Sequence, residues 1–146
     1  MSGLEALYQE LILDHSKRPH GKGLAADAAA TSHQVNPTCG DEITLGVHLD
    51  GDRVVDVTWD GVGCSISQAS ASMLAALVEE EGGLSRSDAT ALVDGFRTAL
   101  RSRGETPLDE ETFGDAAALS GVSKYTARVK CAMLAWVAFE DALAKA

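Results

Sequence analysis

Residues 43–59, which read ITLGVHLDGDRVVDVTW, decide the fold class. Apolar residues alternate with polar or small ones on both sides of the turn Asp50–Asp52. Because successive side chains of a strand point to opposite faces, this pattern predicts an antiparallel β-hairpin with one buried face. The side chains predicted to be buried are Ile43, Leu45, Val47 and Leu49 on the first strand and Val55, Val57 and Trp59 on the second.

Helical spacing replaces the alternation on both sides of the hairpin. A helix is predicted from Ser65 to Gly82, and Ser85 with Asp88 has the spacing of a capping box for another. The last helix is predicted for about 123–144, and an N-terminal one fades before Pro19. The stretch 17–40 shows no period and is predicted to be a long ordered loop. Predicted core positions are Leu4, Leu7, Tyr8, Leu11 and Ile12 in the first helix, Leu92, Val93, Phe96 and Leu100 in the third, and Tyr125, Val129, Met133, Trp136, Val137 and Leu143 in the last.

The order of these elements, strands first and helices after, indicates an α+β class. We expect a small antiparallel sheet of about three strands packed against helices. The chain has 146 residues, the usual size of one domain, so a single domain is expected over 1–146.

The charge of the chain restricts its partners. Twenty-two acidic residues against 12 basic ones give a formal net charge of −10, which would repel nucleic acid and anionic membrane surfaces. No apolar run reaches the length of a membrane span, and the first 15 residues look like a helix rather than a secretory signal. We therefore expect a cytoplasmic protein with reduced thiols, and three cysteines, an odd number, argue against a disulfide framework.

The three cysteines lie in contexts that favour ionisation. A free cysteine is often only a small apolar filler, and no C-x-x-C pair announces zinc here. Cys39, however, lies in a polar turn two residues before Asp41, so in an extended chain both side chains would point the same way. Cys64 follows a strand and precedes a helix, whose dipole favours a thiolate. Cys131 lies close to Arg128 in the last helix.

Three thiolates and one carboxylate are a suitable set for tetrahedral zinc. The site would carry about two net negative charges with Zn²⁺ bound, which Arg128 and Lys130 could partly offset. From the spacing alone, a shared metal site and unconnected cysteines both remain possible.

Four motifs resemble the IscU/SufU family of iron–sulfur cluster assembly proteins across nearly the whole chain. They are LYQELILDHSKRPHGKG (7–23), NPTCGDEI (36–43), GVGCSISQASASML (61–74) and KYTARVKCAMLAW (124–136). IscU-type scaffolds have a histidine before the third cysteine, where this chain has Lys130. The long segment between Cys64 and Cys131 also resembles the insertion of the SufU-type branch, so the resemblance favours zinc-dependent sulfur transfer and a SufE/IscU-like (NifU N-terminal-like) fold.

The resemblance implies a function in partnership with other proteins. SufU-type proteins accept persulfide sulfur from a SufS-type cysteine desulfurase and pass it toward the iron–sulfur assembly machinery, so a sulfurtransferase acting with a partner is expected. Zinc would be held by Cys39, Asp41, Cys64 and Cys131. Cys39, in a glycine-containing loop where movement costs least, is the predicted sulfur acceptor, and Arg128 is a candidate for electrostatic support.

Three alternatives remain. The same four ligands could assemble a [2Fe–2S] cluster, since thiolates also suit such clusters. A thiol hydrolase would need a histidine beside a cysteine, and none flanks Cys64 or Cys131. Zinc could also be purely structural. A solvated role is predicted for the four histidines, His15, His20, His33 and His48, and for Asp56 and Asp60 on the exposed face of a strand.

Overall fold

A four-stranded antiparallel sheet with the strand order β1-β2-β3-β4 forms one layer of the molecule. The computed structural model describes residues 3–146, without the side chain of Leu4, so the predicted core position of Leu4 lies outside the described residues. The strands are β1 (Ala30–Asn36), β2 (Asp41–Asp50), β3 (Arg53–Val62) and β4 (Leu84–Ser85).

Five α-helices and one 3-10 helix occupy the other layer in the described part of the chain. All of them except α1 follow the hairpin in the chain, and this separation of strands and helices confirms the α+β class. The helices are α1 (Gly3–Lys17), α2 (Ser65–Glu80), α3 (Arg86–Leu100), α4 (Glu110–Phe113), the 3-10 helix (Gly114–Lys124) and α5 (Thr126–Lys145).

The predicted hairpin is present as β2 and β3, but its buried pattern is interrupted. The register pairs His48 with Asp56 and Leu49 with Val54, so Val55 is an extra residue on β3. Such a bulge shifts the alternation by one position. Val54 is therefore buried and Val55 exposed, contrary to the prediction, while Val57 and Trp59 are buried as expected.

The predicted loop 17–40 was partly wrong, because it contains a strand. β1 pairs with β2 along its full length, from Ala30 opposite Val47 to Asn36 opposite Asp41. The two residues of this strand that are buried, Ser32 and Asn36, are both polar. Its sequence, ATSHQVN, therefore shows no alternation of apolar residues that would predict a strand. The two-residue strand β4 pairs with β3, with Leu84 opposite Val54. The sheet therefore has four strands rather than about three.

Helices α2 and α5 cover the inner face of the sheet and enclose the core. Trp136 of α5 stacks on Phe96 of α3 with ring centroids 3.9 Å apart, and both side chains are fully buried. Trp136 Nε1 donates to Ser70 Oγ of α2 at 2.9 Å, so the polar edge of the indole is satisfied inside the core. These contacts fix α5 against α2.

The helix caps and exposed faces follow the prediction in part. Ser85 accepts a hydrogen bond from the Asp88 backbone N–H at 3.1 Å, as the capping box predicted. Leu7 and Tyr125, however, were predicted to be core residues and are 50% and 56% exposed. Among the described residues, no helix is both long and apolar enough to cross a membrane.

Candidate metal centre

Cys39 lies in the turn between β1 and β2, at one end of the sheet. The backbone N–H groups of Cys39 and Gly40 both donate to the Asn36 carbonyl, at 3.2 and 2.9 Å. Gly40 has a φ of +72°, a conformation that glycine adopts without steric cost. The chain is therefore turned here and not extended, so the predicted reason for the pairing of Cys39 with Asp41 is wrong, although both lie at this end of the sheet.

Asp41, the first residue of β2, is fully buried and contacts the start of α2. Its Oδ1 accepts a hydrogen bond from the Cys64 backbone N–H at 2.9 Å, and its Oδ2 lies 3.9 Å from Cys64 Sγ. Cys64 is the N-cap residue of α2, at the strand-to-helix junction as predicted, and its thiol is exposed. One carboxylate thus joins the sheet to α2.

Cys131 lies in the second turn of α5 and is only 4% exposed. Its Sγ is 3.5 Å from Cys39 Sγ and 4.0 Å from Asn36 Nδ2. The side chain of Asn36 was not singled out from the sequence, because an asparagine at the end of a strand usually indicates only a turn. Its amide adds a donor beside the buried sulfur.

The four predicted residues come together. One ligand atom each from Cys39, Asp41 and Cys131 lie within 4.8 Å of one another, and Cys64 joins this group through Asp41. We call Asp41 and Cys131 the buried half of the site and Cys39 with Cys64 the exposed half. The first half is held by a strand and a helix interior, and the second by a turn and a helix end.

Gly63 makes the close approach of β3 and Asp41 possible. A Cβ atom at this position would lie 2.4 Å from Asp41 Oδ1 and 2.5 Å from Ser67 Oγ, well inside van der Waals contact. Any larger residue would therefore displace Asp41 or the first turn of α2. The sequence showed a glycine before the cysteine, but nothing in it indicated this contact.

Acidic groups dominate the buried half of the site. Within residues 3–146, no lysine, arginine or histidine forms an ion pair with the buried carboxylate of Asp41. Burial raises the pKa of the Cys131 thiol well above its usual range, and hydrogen bonds with Asp41 and the other two thiols add to this increase. Cys131 is therefore placed for packing as well as for chemistry, which corrects the expectation that all three cysteines sit where ionisation is favoured.

A divalent cation bound at this site would favour the thiolates over the protonated thiols. Metal ions keep coordinating thiols deprotonated, and three sulfurs with one carboxylate oxygen match the donors that zinc prefers. Thiolates also suit iron–sulfur clusters, so the donor set fits either group.

Arg128 and Lys130 are exposed on α5 beside the site. The Arg128 guanidinium lies over the Tyr125 ring, 5.1 Å from its centroid. In residues 3–146 no hydrogen bond or ion pair joins it to the three thiols or to Asp41. Its predicted electrostatic role therefore stays a prediction.

No histidine of the described residues belongs to the candidate ligand group, and one of them corrects the sequence interpretation. His15, expected to be solvated, is largely buried: Nδ1 lies 2.7 Å from Ser72 Oγ and Nε2 lies 2.9 Å from Asp115 Oδ2. Ser72 is fully buried and also accepts the His20 backbone N–H at 2.7 Å. Although these residue types resemble a hydrolase triad, the Ser72 hydroxyl is closed to substrate, and His15 joins α1 to α2 and to the 3-10 helix.

The other three histidines lie at the surface or near it. His20 pairs with Glu79, and His33 Nε2 lies 2.6 Å from Glu42 Oε1 across the sheet. His48 is half-buried on the outer face of the sheet, with Nε2 2.9 Å from Thr58 Oγ1. The contact with Thr58 explains why His48, which was expected to be exposed, is partly covered. Asp56 and Asp60 are exposed as expected.

Comparison with known proteins places this geometry in a family. The NifU-like N terminal domain family matches residues 7–132. The chain is 42% identical over 144 residues to a protein of Bacillus subtilis strain 168 named zinc-dependent sulfurtransferase SufU, covering 99% of this chain and 94% of that protein. It is 41% identical over 143 residues to a Streptococcus pyogenes serotype M1 protein named iron-sulfur cluster assembly scaffold protein IscU, covering 98% and 86%.

A solved structure supports the same relationship. The crystal structure of a putative iron-sulfur cluster assembly scaffold protein for the SUF system, from Fervidobacterium islandicum AW-1, is similar with a TM-score of 0.77 and 34% identity. The similarity covers 95% of this chain and 98% of that one. The sheet and the helices that carry the four candidate ligands thus belong to a fold that is known from experiment.

Proposed function

The chain belongs to the NifU-like N-terminal domain family, and from this premise we propose that it is a zinc-dependent sulfur-transfer protein of iron–sulfur cluster assembly. The observation that carries the proposal is the meeting of three cysteines and one buried carboxylate at the end of the sheet. The similarity to a protein named for zinc-dependent sulfur transfer supports it.

The proposed ligands are Cys39, Asp41, Cys64 and Cys131. Zinc, when bound, would hold the thiols as thiolates at neutral pH. The buried half anchors the site, because Asp41 and Cys131 lie on a strand and inside a helix. The exposed half faces solvent, where another protein can reach a sulfur atom.

Cys39 is the proposed acceptor. Its Sγ attacks the outer sulfur of a persulfide on the donor protein and forms a new S–S bond. The bond between that sulfur and the donor cysteine breaks, and its electron pair leaves with the donor thiolate. A proton on the transferred sulfur travels with it, so no oxidant or reductant is needed. Cys39 suits this role because its turn can move without disturbing a helix.

The proposed donor is a SufS-type cysteine desulfurase, and the proposed receivers are downstream proteins of iron–sulfur assembly in the cytoplasm. The protein then acts as a sulfurtransferase only together with a partner. Arg128, three residues before Cys131, is proposed to stabilise the negative charge of the site while sulfur arrives.

A second candidate is a scaffold that assembles a [2Fe–2S] cluster on the same ligands. The IscU-named relative from Streptococcus pyogenes is 41% identical, almost the same value as the SufU-named one. Lys130, in place of the histidine of IscU-type scaffolds, favours zinc and transfer. Stoichiometric iron and sulfide without zinc in the isolated protein would favour the scaffold.

The test uses Cys39→Ser with the desulfurase and free cysteine. Mass spectrometry should find one added sulfur atom on the wild-type protein, at Cys39, and sulfur acceptance should fall at least ~100-fold in the variant because the nucleophile is lost. Metal content is measured on both proteins. Wild-type rates in Cys39→Ser would refute Cys39 as acceptor, and no effect of the wild-type protein on desulfurase turnover would leave zinc with a purely structural role.

A further inference from the structure

A groove of about 480 Å³ runs between α1 and the segment where the 3-10 helix meets α5. Tyr8, Ile12 and Leu13 of α1 line one wall. Val122 and Tyr125 line the other, and Ile66 of α2 closes one end. The walls are largely apolar and open to solvent.

The groove borders the helix positions that carry two of the thiols. Ile66 is two residues after Cys64, and Arg128, which also lines the groove, lies one helical turn before Cys131. A chain segment in the groove would therefore reach the thiols at one of its ends. This continuity separates it from the groove beside Leu84 and Leu92, whose lining residues include none within the turn or helix ends that carry the thiols.

Exposed apolar side chains mark the groove as a contact surface. Leu13 is 50% exposed and Tyr125 is 56% exposed, on opposite walls. Leu7, also on α1, is half exposed but does not line the groove. Large apolar side chains grouped around a concave surface are typical of protein interaction sites. The structure thus explains why Tyr125, predicted for the core, is at the surface: it faces the groove.

The charge of the groove differs from that of the molecule. Its lining includes the cations Lys124 and Arg128 and one carboxylate, Glu5, whereas the whole chain has a formal charge of −10. An anionic group would therefore be steered toward this part of the surface. A second copy of this chain is a poor occupant because two molecules of this charge repel each other.

We propose that this groove seats an extended segment of the sulfur-donor protein, next to the residue that carries its persulfide. An apolar side chain of that segment packs against Ile12 and Ile66, and an acidic group faces Lys124 and Arg128. The inference rests on the proposed function. It assigns the donor's docking surface to the side of the site formed by α1 and the start of α5.

The test measures the dissociation constant for a SufS-type cysteine desulfurase with Leu13→Asp, Arg128→Glu and the control Val55→Asp. Val55 is 37% exposed on the β3 bulge and does not line the groove, so the control adds the same charge as Leu13→Asp but outside the groove. Leu13→Asp and Arg128→Glu should each weaken binding at least ~10-fold, and Val55→Asp less than ~2-fold. Zinc content and circular dichroism confirm that each variant is folded.

The outcomes separate the groove from the function. If the wild-type protein binds the desulfurase and both groove variants bind equally well, the groove assignment is wrong and the proposed function stands. If the wild-type protein does not bind, the proposed function fails and the inference with it. If the groove variants change only the oligomeric state, measured by light scattering, the groove is an interface between copies of this chain and the proposal is overturned.

Discussion

The buried and exposed halves of the site each contribute two candidate donor groups, from opposite structural situations. Asp41 and Cys131 are almost inaccessible and are held by β2 and α5. Cys39 and Cys64 are exposed on a turn and a helix end. The proposed sulfur transfer needs one ligand that can leave and others that cannot, and this division would supply both.

The two halves also differ in how strictly they require glycine at a neighbouring position. The buried half tolerates no extra atom at Gly63, whereas a Cβ at Gly40, in the turn that carries Cys39, would meet no atom within 4 Å. Three measurements test this division.

The largest effect is expected for Gly63→Ala. The added methyl group would collide with Asp41 Oδ1 and Ser67 Oγ, so zinc affinity should fall at least ~100-fold and the free energy of unfolding by about 2 kcal/mol. Competition with a chromophoric chelator measures the affinity, and urea unfolding measures the stability.

Gly40→Ala is the matched control for this change. Its positive φ of 72° makes alanine unfavourable by about 1 kcal/mol, but no atom of the site is displaced. Zinc affinity should change less than ~10-fold, within the range expected for an indirect effect. A greater loss of zinc in Gly40→Ala than in Gly63→Ala would contradict the division into a rigid and a movable half.

An intermediate effect is expected for thiol reactivity in the zinc-free protein. Iodoacetamide at pH 7.5 should modify Cys39 and Cys64 at least ~10-fold faster than Cys131, because burial keeps the Cys131 thiol protonated and shielded. Peptide mapping by mass spectrometry gives the three rates. Equal rates would show that α5 opens readily and that its cysteine is not an anchor.

The smallest effect concerns the stability of the zinc-free protein at alkaline pH. The raised pKa of Cys131 means that the folded chain keeps a proton which the unfolded chain loses above its ordinary thiol pKa of 9.0. Stability is therefore complete below pH 9 and falls as the pH rises, by about 1 kcal/mol between pH 8.5 and 10. Urea unfolding at both values measures it.

Cys131→Ala is the control for this pH dependence. The slope of stability against pH over this window should be smaller in the variant, since the titrating thiol is absent. An identical slope in both proteins would mean that other groups cause the loss.

The sequence predicted the parts of the fold that have regular periodicity. The β2–β3 hairpin, α2 and the Ser85 cap are present because alternation, helical spacing and capping are local properties. It missed β1, whose side chains are mostly polar, and it could not show that the Val55 bulge reverses the burial of two valines. Those features depend on pairing with a distant segment.

The candidate site could be predicted in identity but not in organisation. The contexts of the cysteines and the family motifs pointed to the four residues that the fold brings together. The burial of Cys131, the contact of Gly63 and the role of His15 could not be predicted, because each arises from packing between elements far apart in the chain. Proximity of residues in sequence says little about such contacts.

The two oxygens of Asp41 explain why the fourth donor of this site is a carboxylate rather than another thiol. Oδ1 accepts the first free N–H before α2 and so caps that helix from a different strand, while Oδ2 remains turned toward the sulfurs. A cysteine offers one weak acceptor and could not serve both. The candidate ligand with the hardest donor atom is thus the one that ties the start of α2 to the site, so tighter binding of an ion there should go with less fraying of that helix.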